Sequence, residues 1–190
     1  MKKMIALLLA LATILTMTAC GKKTEPVETT PTVEVPASAL EIFQNIWDAY
    51  GEEEKFAVMG GGMENPVDGG PGEFPLDDEN ITYALLIPNE QLSNVTEAAS
   101  MTHMMNANTF TGAVYKLADG VSAADFGAAM RDVVMNNQWI CGFPDSLLIQ
   151  DIAGAYVLVA FGKNEPMKSL ETHLNEVYPD STVLTNETIA

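Results

Sequence analysis

The sequence has few basic residues, few histidines and no recognisable catalytic motif. Nine lysines and arginines stand against 26 aspartates and glutamates, and there are two histidines. Nucleic-acid binding is excluded, because lysine and arginine would have to neutralise the phosphates. One arginine, Arg131, and two histidines are also a poor set for acid–base or phosphoryl-transfer chemistry. No Ser-His-Asp set, paired histidine–carboxylate metal motif or nucleotide fingerprint is present. The sequence therefore predicts a protein that is not an enzyme.

The sequence also has no hydrophobic run long enough to span a membrane, and its longest run lies at the N-terminus. The run Met4–Leu15 follows Lys2 and Lys3. It is too short to cross about 30 Å of hydrocarbon as a helix. A short basic start, an apolar centre and small residues after it are typical of an export signal. Residues 1–19 are therefore predicted to be a signal peptide that takes no part in the fold.

Cysteine is scarce too, and the first of the two cysteines indicates a location. Met17-Thr18-Ala19-Cys20 resembles the bacterial lipobox, in which a small residue precedes the cysteine. The resemblance implies cleavage before Cys20, a diacylglycerol-modified thiol and acylation of the new amine, which together give stable anchoring. The protein is then expected at the extracytoplasmic face of the cell membrane. The alternative is an ordinary secretory signal in which the cysteine is incidental.

The second cysteine, Cys141, is predicted to have no disulfide partner, because a lipidated Cys20 is a thioether. It lies in the stretch "NQWICGFPD" between Trp139, Ile140 and Phe143. A catalytic thiol needs a neighbouring base and a lowered pKa, and no cysteine-hydrolase motif surrounds it. We predict a buried apolar thiol in a tight turn. Intermolecular pairing remains an alternative, since an odd thiol in an exported chain is available for it.

Composition divides the rest of the chain into a tether and one domain. Residues 20–37 hold the lipidated cysteine and a proline- and threonine-rich segment, which is typical of an extended tether. Residues 38–190 are predicted to form a single α+β domain with an acidic, glycine-rich insert at 51–80. Without Lys2 and Lys3, seven basic residues face 26 acidic ones, a net charge of −19. An anionic membrane surface should repel such a domain.

Apolar spacing predicts the elements of the first half of the domain. "SALEIFQNIWDAY" favours a helix, and the insert 51–80 should be mostly loop, with a short strand possible at "KFAVM". "ITYALLI" (81–87) is predicted to be a strand. "NEQLSNVTEAASMTHMMN" (89–106) is predicted to be a helix.

From Asn108 onward the patterns predict the order β-α-β-β-α-β. Asp119-Gly120 is a turn, Ser122 with Asp125 favours a helix start, and Pro166 begins the last helix. The fold class is therefore α+β, a two-layer sandwich with a ferredoxin-like core over about 108–188 and an additional N-terminal helix and strand. Both core helices would cover one face of an antiparallel sheet. The alternative is another two-layer arrangement in which strand 81–87 joins the sheet centrally.

Local stretches carry a resemblance to a known group of proteins. The lipobox, the tether, "VYKLADGVSAADF" and "GAYVLVAFG" resemble an uncharacterised domain family of small Gram-positive-type lipoproteins. The resemblance covers about residues 38–178. It implies membrane anchoring and supplies no catalytic residues.

Two groups of side chains are candidate metal ligands, each with a simpler interpretation. Asp77, Asp78 and Glu79 lie in the acidic insert and offer oxygen ligands of the kind that calcium takes; a solvated loop is the simpler interpretation. The second group offers the soft ligands that Cu(I) prefers, although its methionines also have the spacing of a helix core face. It consists of Met101, His103, Met104 and Met105. We predict no cofactor, with a divalent cation such as calcium as the alternative.

The function favoured by these observations is that of a membrane-anchored, non-catalytic binding or interaction module outside the cytoplasmic membrane. Its partners would be the membrane, through the lipid anchor, and another envelope protein. The acidic residues around 60–80 are the expected contact surface, because the chain offers chiefly negative charge. The alternatives are an accessory, ligand-presenting component of an envelope transport system and an enzyme that uses carboxylates alone.

Overall fold

The computed structural model describes residues 36–189 of the chain. These residues contain four α-helices, eight β-strands and two short 3₁₀ turns. In chain order the elements are α1 (Ala39–Asp48), β1 (Val58–Gly60), β2 (Val67–Asp68), β3 (Gly72–Glu73), α2 (Ile81–Ala84), a 3₁₀ turn (Asn89–Asn94), β4 (Val95–His103), a 3₁₀ turn (Asn106–Asn108), β5 (Phe110–Leu117), α3 (Ala123–Asn136), β6 (Ser146–Ile152), β7 (Tyr156–Gly162), α4 (Asn164–Val177) and β8 (Thr182–Thr188).

All paired strands are antiparallel and belong to one sheet. The main path has the order β2-β1-β4-β5-β7-β6-β8, and β3 also pairs with β4. Every residue of β7 is buried, which confirms the central position that its unbroken apolar run predicts. The β6–β7 hairpin turns through Ala153 and Gly154, both at positive φ. Strand β8 forms one edge of the sheet.

Two hydrophobic clusters lie on opposite faces of the sheet. Alternate residues of each strand enter alternate clusters, as the pleat requires. In β7, for example, Leu158 belongs to one cluster and Val159 to the other. Helices α1 and α4 pack in the first cluster and α3 in the second. The predicted α+β class, with helices packed on an antiparallel sheet, is confirmed.

The two core helices do not share a face, and the reason lies in the strand order. Strand β7 lies between the parallel pair β5 and β6, and β6 lies between the parallel pair β7 and β8. The connections β5-α3-β6 and β7-α4-β8 therefore each cross over one strand, in the same direction across the sheet. The strands from which they start, β5 and β7, run in opposite directions. Right-handed crossovers then place α3 and α4 on opposite faces. A ferredoxin-like order would return β8 to the side of β5, where β4 lies instead.

Two of the predicted elements between residues 81 and 106 are wrong. The stretch 81–87 is not a strand: α2 occupies Ile81–Ala84, and Leu86 has a φ of +54°. The stretch 89–106 is not an α-helix, because a 3₁₀ turn occupies Asn89–Asn94 and the long strand β4 follows it. Strand β4 pairs with β5 along most of its length. Tertiary pairing therefore overrides the three- and four-residue spacing of Met101, Met104 and Met105, of which only Met101 lies in β4.

The acidic insert 51–80 has mostly irregular backbone, as predicted, but it is packed against the domain. Strands β1 and β3 both pair with β4. The side chain of Phe74 is buried, and Trp47 Nε1 of α1 donates a hydrogen bond of 3.0 Å to the carbonyl of Gly69. The insert thus contributes to both faces of the sheet, because Phe74 packs in the cluster that α3 covers and Val58 in the one that α1 covers.

The first described residues are fixed to one end of the sheet. Glu97 on β4 accepts hydrogen bonds from Lys116 Nζ at 2.7 Å and from the backbone N–H of Ala39 at 3.1 Å. Burial raises the pKa of Glu97, but the hydrogen bonds from Lys116 and Ala39 outweigh it and hold the pKa below its ordinary value. The ionised carboxylate therefore stabilises the fold.

We expect Glu97→Gln to destabilise the domain at neutral pH and not in strong acid. A lowered folded-state pKa contributes stability that is complete above the ordinary value of 4.5 and is lost as the pH falls through the folded value. Urea unfolding across a series of pH values should show the two curves converging below that point. The control is Glu90→Gln, which removes an exposed charge elsewhere. Parallel curves for wild type and Glu97→Gln would contradict this role of Glu97.

Candidate functional site

The predicted lipidation site, Cys20, lies outside the described residues 36–189. Its modification stays a prediction. The structure does locate the point at which the described chain begins. Tyr156 Oη donates a hydrogen bond of 2.8 Å to the carbonyl of Pro36, and Lys116 Nζ donates one of 3.3 Å to that of Ala37. Tyr156 begins β7 and Lys116 is near the end of β5, so the chain enters at this end of the sheet.

Asp78 holds the backbone of the insert together. Its Oδ2 accepts a hydrogen bond of 3.2 Å from the N–H of Met63, and its Oδ1 accepts one of 2.8 Å from the N–H of Asn80. The hydrogen bond from the Asn80 backbone is the main reason that the pKa of Asp78 lies below its ordinary value. Asp77 and Glu79 are exposed. The carboxylate of Asp78 therefore has a structural role, which the sequence alone did not predict.

The acidic residues are not grouped like metal ligands in the part of the chain that the structure describes. Asp77, Asp78 and Glu79 line a shallow depression of about 290 Å³. Nowhere in residues 36–189 are three or more histidine, cysteine or acidic side chains grouped so that they could hold a metal ion. The structure therefore gives no support to the alternative of a calcium site.

The methionines of the second candidate group have different environments. Met101 is fully buried in the first core cluster, whereas Met104 and Met105 are more than half exposed. The expected helical core face is wrong because Met101 belongs to β4, which ends at His103, and the other two methionines follow it. His103 is partly exposed, as predicted.

His103 lies between two depressions at the end of the sheet opposite to Pro36. Its ring stacks on Phe56 with 5.2 Å between centroids, and its Nδ1 accepts a hydrogen bond of 2.9 Å from the N–H of Met105. Burial lowers the pKa of His103 below its ordinary value, so the imidazole is neutral at pH 7. A neutral ring adds no charge to either depression.

The first depression, which we call the α4 cleft, lies beside the start of α4 and has a volume of about 580 Å³. It combines an aromatic wall with polar and charged groups. The principal lining residues are Glu54, Phe56, His103, Asp145, Lys163 and Glu165. Its volume is in the range of small-molecule sites.

The second depression, which we call the Trp139 groove, has a volume of about 530 Å³. It is formed by α2 and the residues after it, by the ends of β4, β5 and β7, and by the loop between α3 and β6. No aspartate, glutamate, lysine or arginine lines it, although the chain has 35 such residues. Its principal lining residues are Tyr83, Leu86, His103, Met105, Trp139 and Ile140.

Large apolar side chains at the Trp139 groove are open to solvent. Tyr83 and Ile140 are 85% and 86% exposed. Trp139 instead turns inward, with its ring 5.3 Å from that of Phe161. Leu86 adopts a left-handed backbone conformation, which is costly for a leucine and occurs preferentially at functional sites. An uncharged surface with exposed apolar side chains is a typical protein-interaction site.

Cys141 also lines the Trp139 groove, and the prediction that it is buried is wrong. The thiol is free and exposed. The predicted tight turn exists, because Gly142 has a φ of +69°. In this loop, however, Trp139 packs inward while Ile140 and Cys141 face solvent.

Comparisons of the chain with protein-family models, curated proteins and solved structures give no match. The resemblance to small lipoproteins therefore stays a prediction, and any function must be argued from the site. Across residues 36–189, no helix has both the length and the apolar character needed to cross a membrane.

Proposed function

We propose that this protein is a membrane-anchored bacterial lipoprotein that acts outside the cytoplasmic membrane as a non-catalytic binding module. Its binding surface is the Trp139 groove. The observation that carries the proposal is the position of this groove, at the end of the sheet opposite to Pro36. A domain anchored through residues before Pro36 would present the groove away from its point of attachment.

The partner is an uncharged, apolar segment of another envelope protein. The charge distribution favours this class, because the groove is a neutral surface on a strongly acidic chain. A basic partner would be drawn to the acidic residues elsewhere on the domain rather than to this groove. Exposed Tyr83 and Ile140 provide the kind of apolar anchors that dominate binding energy at interfaces.

We expect a photo-crosslinker attached to Cys141 to capture the partner in intact cells. Lipidation of Cys20 would leave Cys141 as the one free thiol of the mature chain, so labelling needs no substitution. The crosslinked product should be lost in Ile140→Asp, because a carboxylate in an apolar contact is costly to desolvate. It should persist in Met63→Asp, which changes an exposed apolar residue of the insert.

Three outcomes would contradict the proposed groove contact. They are a protein adduct that survives Ile140→Asp, an adduct lost equally in Met63→Asp, and crosslinking to lipid alone. Expression and membrane fractionation of each variant are compared first, so that loss of the protein is not mistaken for loss of binding.

A second candidate function is the presentation of a small ligand to an envelope transport system. The volume and mixed polar lining of the α4 cleft favour it.

A further inference from the structure

The charges that line the α4 cleft do not cancel. Lys163 Nζ lies 2.8 Å from Asp145 Oδ1, so this pair contributes little net charge. The hydrogen bond from Lys163 holds the pKa of Asp145 below its usual range, which keeps the carboxylate ionised. Glu54 and Glu165 remain, and no other lysine or arginine lines the cleft. The cleft is therefore negative, like the rest of the domain.

An anion is excluded from this cleft even though a helix begins there. The N–H of Asn164, at the start of α4, donates a hydrogen bond of 3.2 Å to Asp145 Oδ2. Glu165 adds a negative charge in the first turn of the helix. The side chains of the protein thus already meet the preference of a helix N-terminus for negative charge.

The remaining wall of the cleft suits a cation with apolar surface. His103 covers one face of the Phe56 ring, and edge contacts with Trp47 and Phe110, at centroid distances of 5.5 and 5.4 Å, hold the ring in place. An aromatic face attracts a nearby cation through its quadrupole. Because the neighbouring His103 is neutral, it does not repel such a ligand.

The carboxylate of Glu54 is already positioned at the cleft. Its Oε2 accepts a hydrogen bond of 3.0 Å from the N–H of Gly51. The same oxygen lies 3.4 Å from Nε2 of His173, a buried imidazole whose ring nitrogens have no hydrogen-bond partner. The hydrogen bond from Gly51 limits the movement of Glu54, so less entropy is lost when it contacts a ligand.

We propose that the α4 cleft binds an organic cation of metabolite size that carries an amine or guanidinium group. Glu54 and Glu165 contact the charge, and Phe56 packs against the ligand. An organic cation is favoured over a metal ion, since no three histidine, cysteine or acidic side chains within residues 36–189 are grouped to hold a metal. This inference is independent of the Trp139 groove, and its failure would leave the proposed partner binding intact.

The test is isothermal titration calorimetry of the full-length protein in a non-ionic detergent, with agmatine as the probe. We expect saturable binding at low salt. Glu165→Gln should weaken it about fivefold, the upper range for an exposed charge pair, and Phe56→Leu by a similar factor. The matched control is Glu90→Gln, which removes one exposed charge away from the cleft and should leave binding unchanged.

Specific outcomes would overturn the cation site. One is the absence of saturable heat at millimolar agmatine. Another is equal weakening by Glu90→Gln and Glu165→Gln, which would mean diffuse attraction to an acidic protein. Tighter binding of acetate than of agmatine would also refute it. Because Phe56 contacts the core, its variant is checked by a thermal melt, and the exposed Glu165 keeps the test decisive if Phe56→Leu fails to fold.

Discussion

Gly60→Ala should destabilise the domain by about 3 kcal/mol, the upper range for overpacking a tight interior site. A Cβ at residue 60 would lie 2.2 Å from the backbone nitrogen of Gly72 and 2.4 Å from the carbonyl oxygen of Gly70. Both are backbone atoms, so the clash is relieved only if β1 and the 70–72 segment separate. Their separation would also disturb the contact between Trp47 and Gly69.

The matched control is Gly70→Ala. Its Cβ would meet the Trp47 ring at 3.6 Å, an ordinary contact, and its backbone has no positive φ. This variant should be neutral or slightly stabilising, because alanine restricts the unfolded chain. Urea unfolding of both variants measures the difference. Equal stability of Gly60→Ala and wild type would mean that the insert is a loose loop, as its composition first indicated.

Cys20→Ala should remove the protein from the membrane fraction almost completely. Lipid chains on this residue would be the anchor, and the apolar run Met4–Leu15 is too short to replace them as a spanning helix. The domain itself should not bind the membrane surface, because its acidic charge is repelled by anionic lipids. The experiment separates membrane and soluble material and detects the protein in each.

Cys141→Ala is the control for this experiment, since it removes the other thiol of the chain. It should stay with the membrane and lose only its reaction with thiol reagents. A membrane-bound Cys20→Ala would refute lipidation at this position. Release of both variants would point instead to a general effect of cysteine loss on export or folding.

The C-terminal half of the fold was predictable because its signals are local. The turn at Asp119-Gly120 and the helix start at Ser122 mark the boundaries around α3. Ser122 Oγ indeed accepts a hydrogen bond from the N–H of Asp125, at 3.2 Å. The unbroken apolar run of β7 indicated a strand buried on both faces. Such patterns depend on neighbouring residues and need no knowledge of distant ones.

The region 81–106 was mispredicted because distant residues decide its structure. In β4, Ala98 and Ala99 are compatible with a helix, and pairing with distant strands such as β5 makes them a strand. The strand order was not predictable for the same reason, because it too is decided by distant residues. The pattern that predicts β8 as a strand does not specify whether it pairs with β5 or with β6.

The two depressions could not be predicted from the sequence either. The sequence singled out His103 only as a candidate metal ligand beside methionines. The Trp139 groove joins Tyr83, Met105 and Ile140 from three separate segments of the chain. No pattern in the sequence indicates that these three residues lie together. The tight turn at Gly142 was a usable signal, but the direction in which it points Cys141 depends on the packing of Trp139 against Phe161.

Pro36 and the Trp139 groove lie at opposite ends of the sheet. This position has a mechanical consequence for an anchored protein. A partner that pulls on the groove would stretch the domain along the strand direction, between the His103 end and Pro36. The load would run parallel to the strands, because β5 and β7 each contact the chain start at one end and line the groove at the other. Such a load does not pull an edge strand sideways away from its neighbour, so the strand pairing of the central sheet would hold under tension.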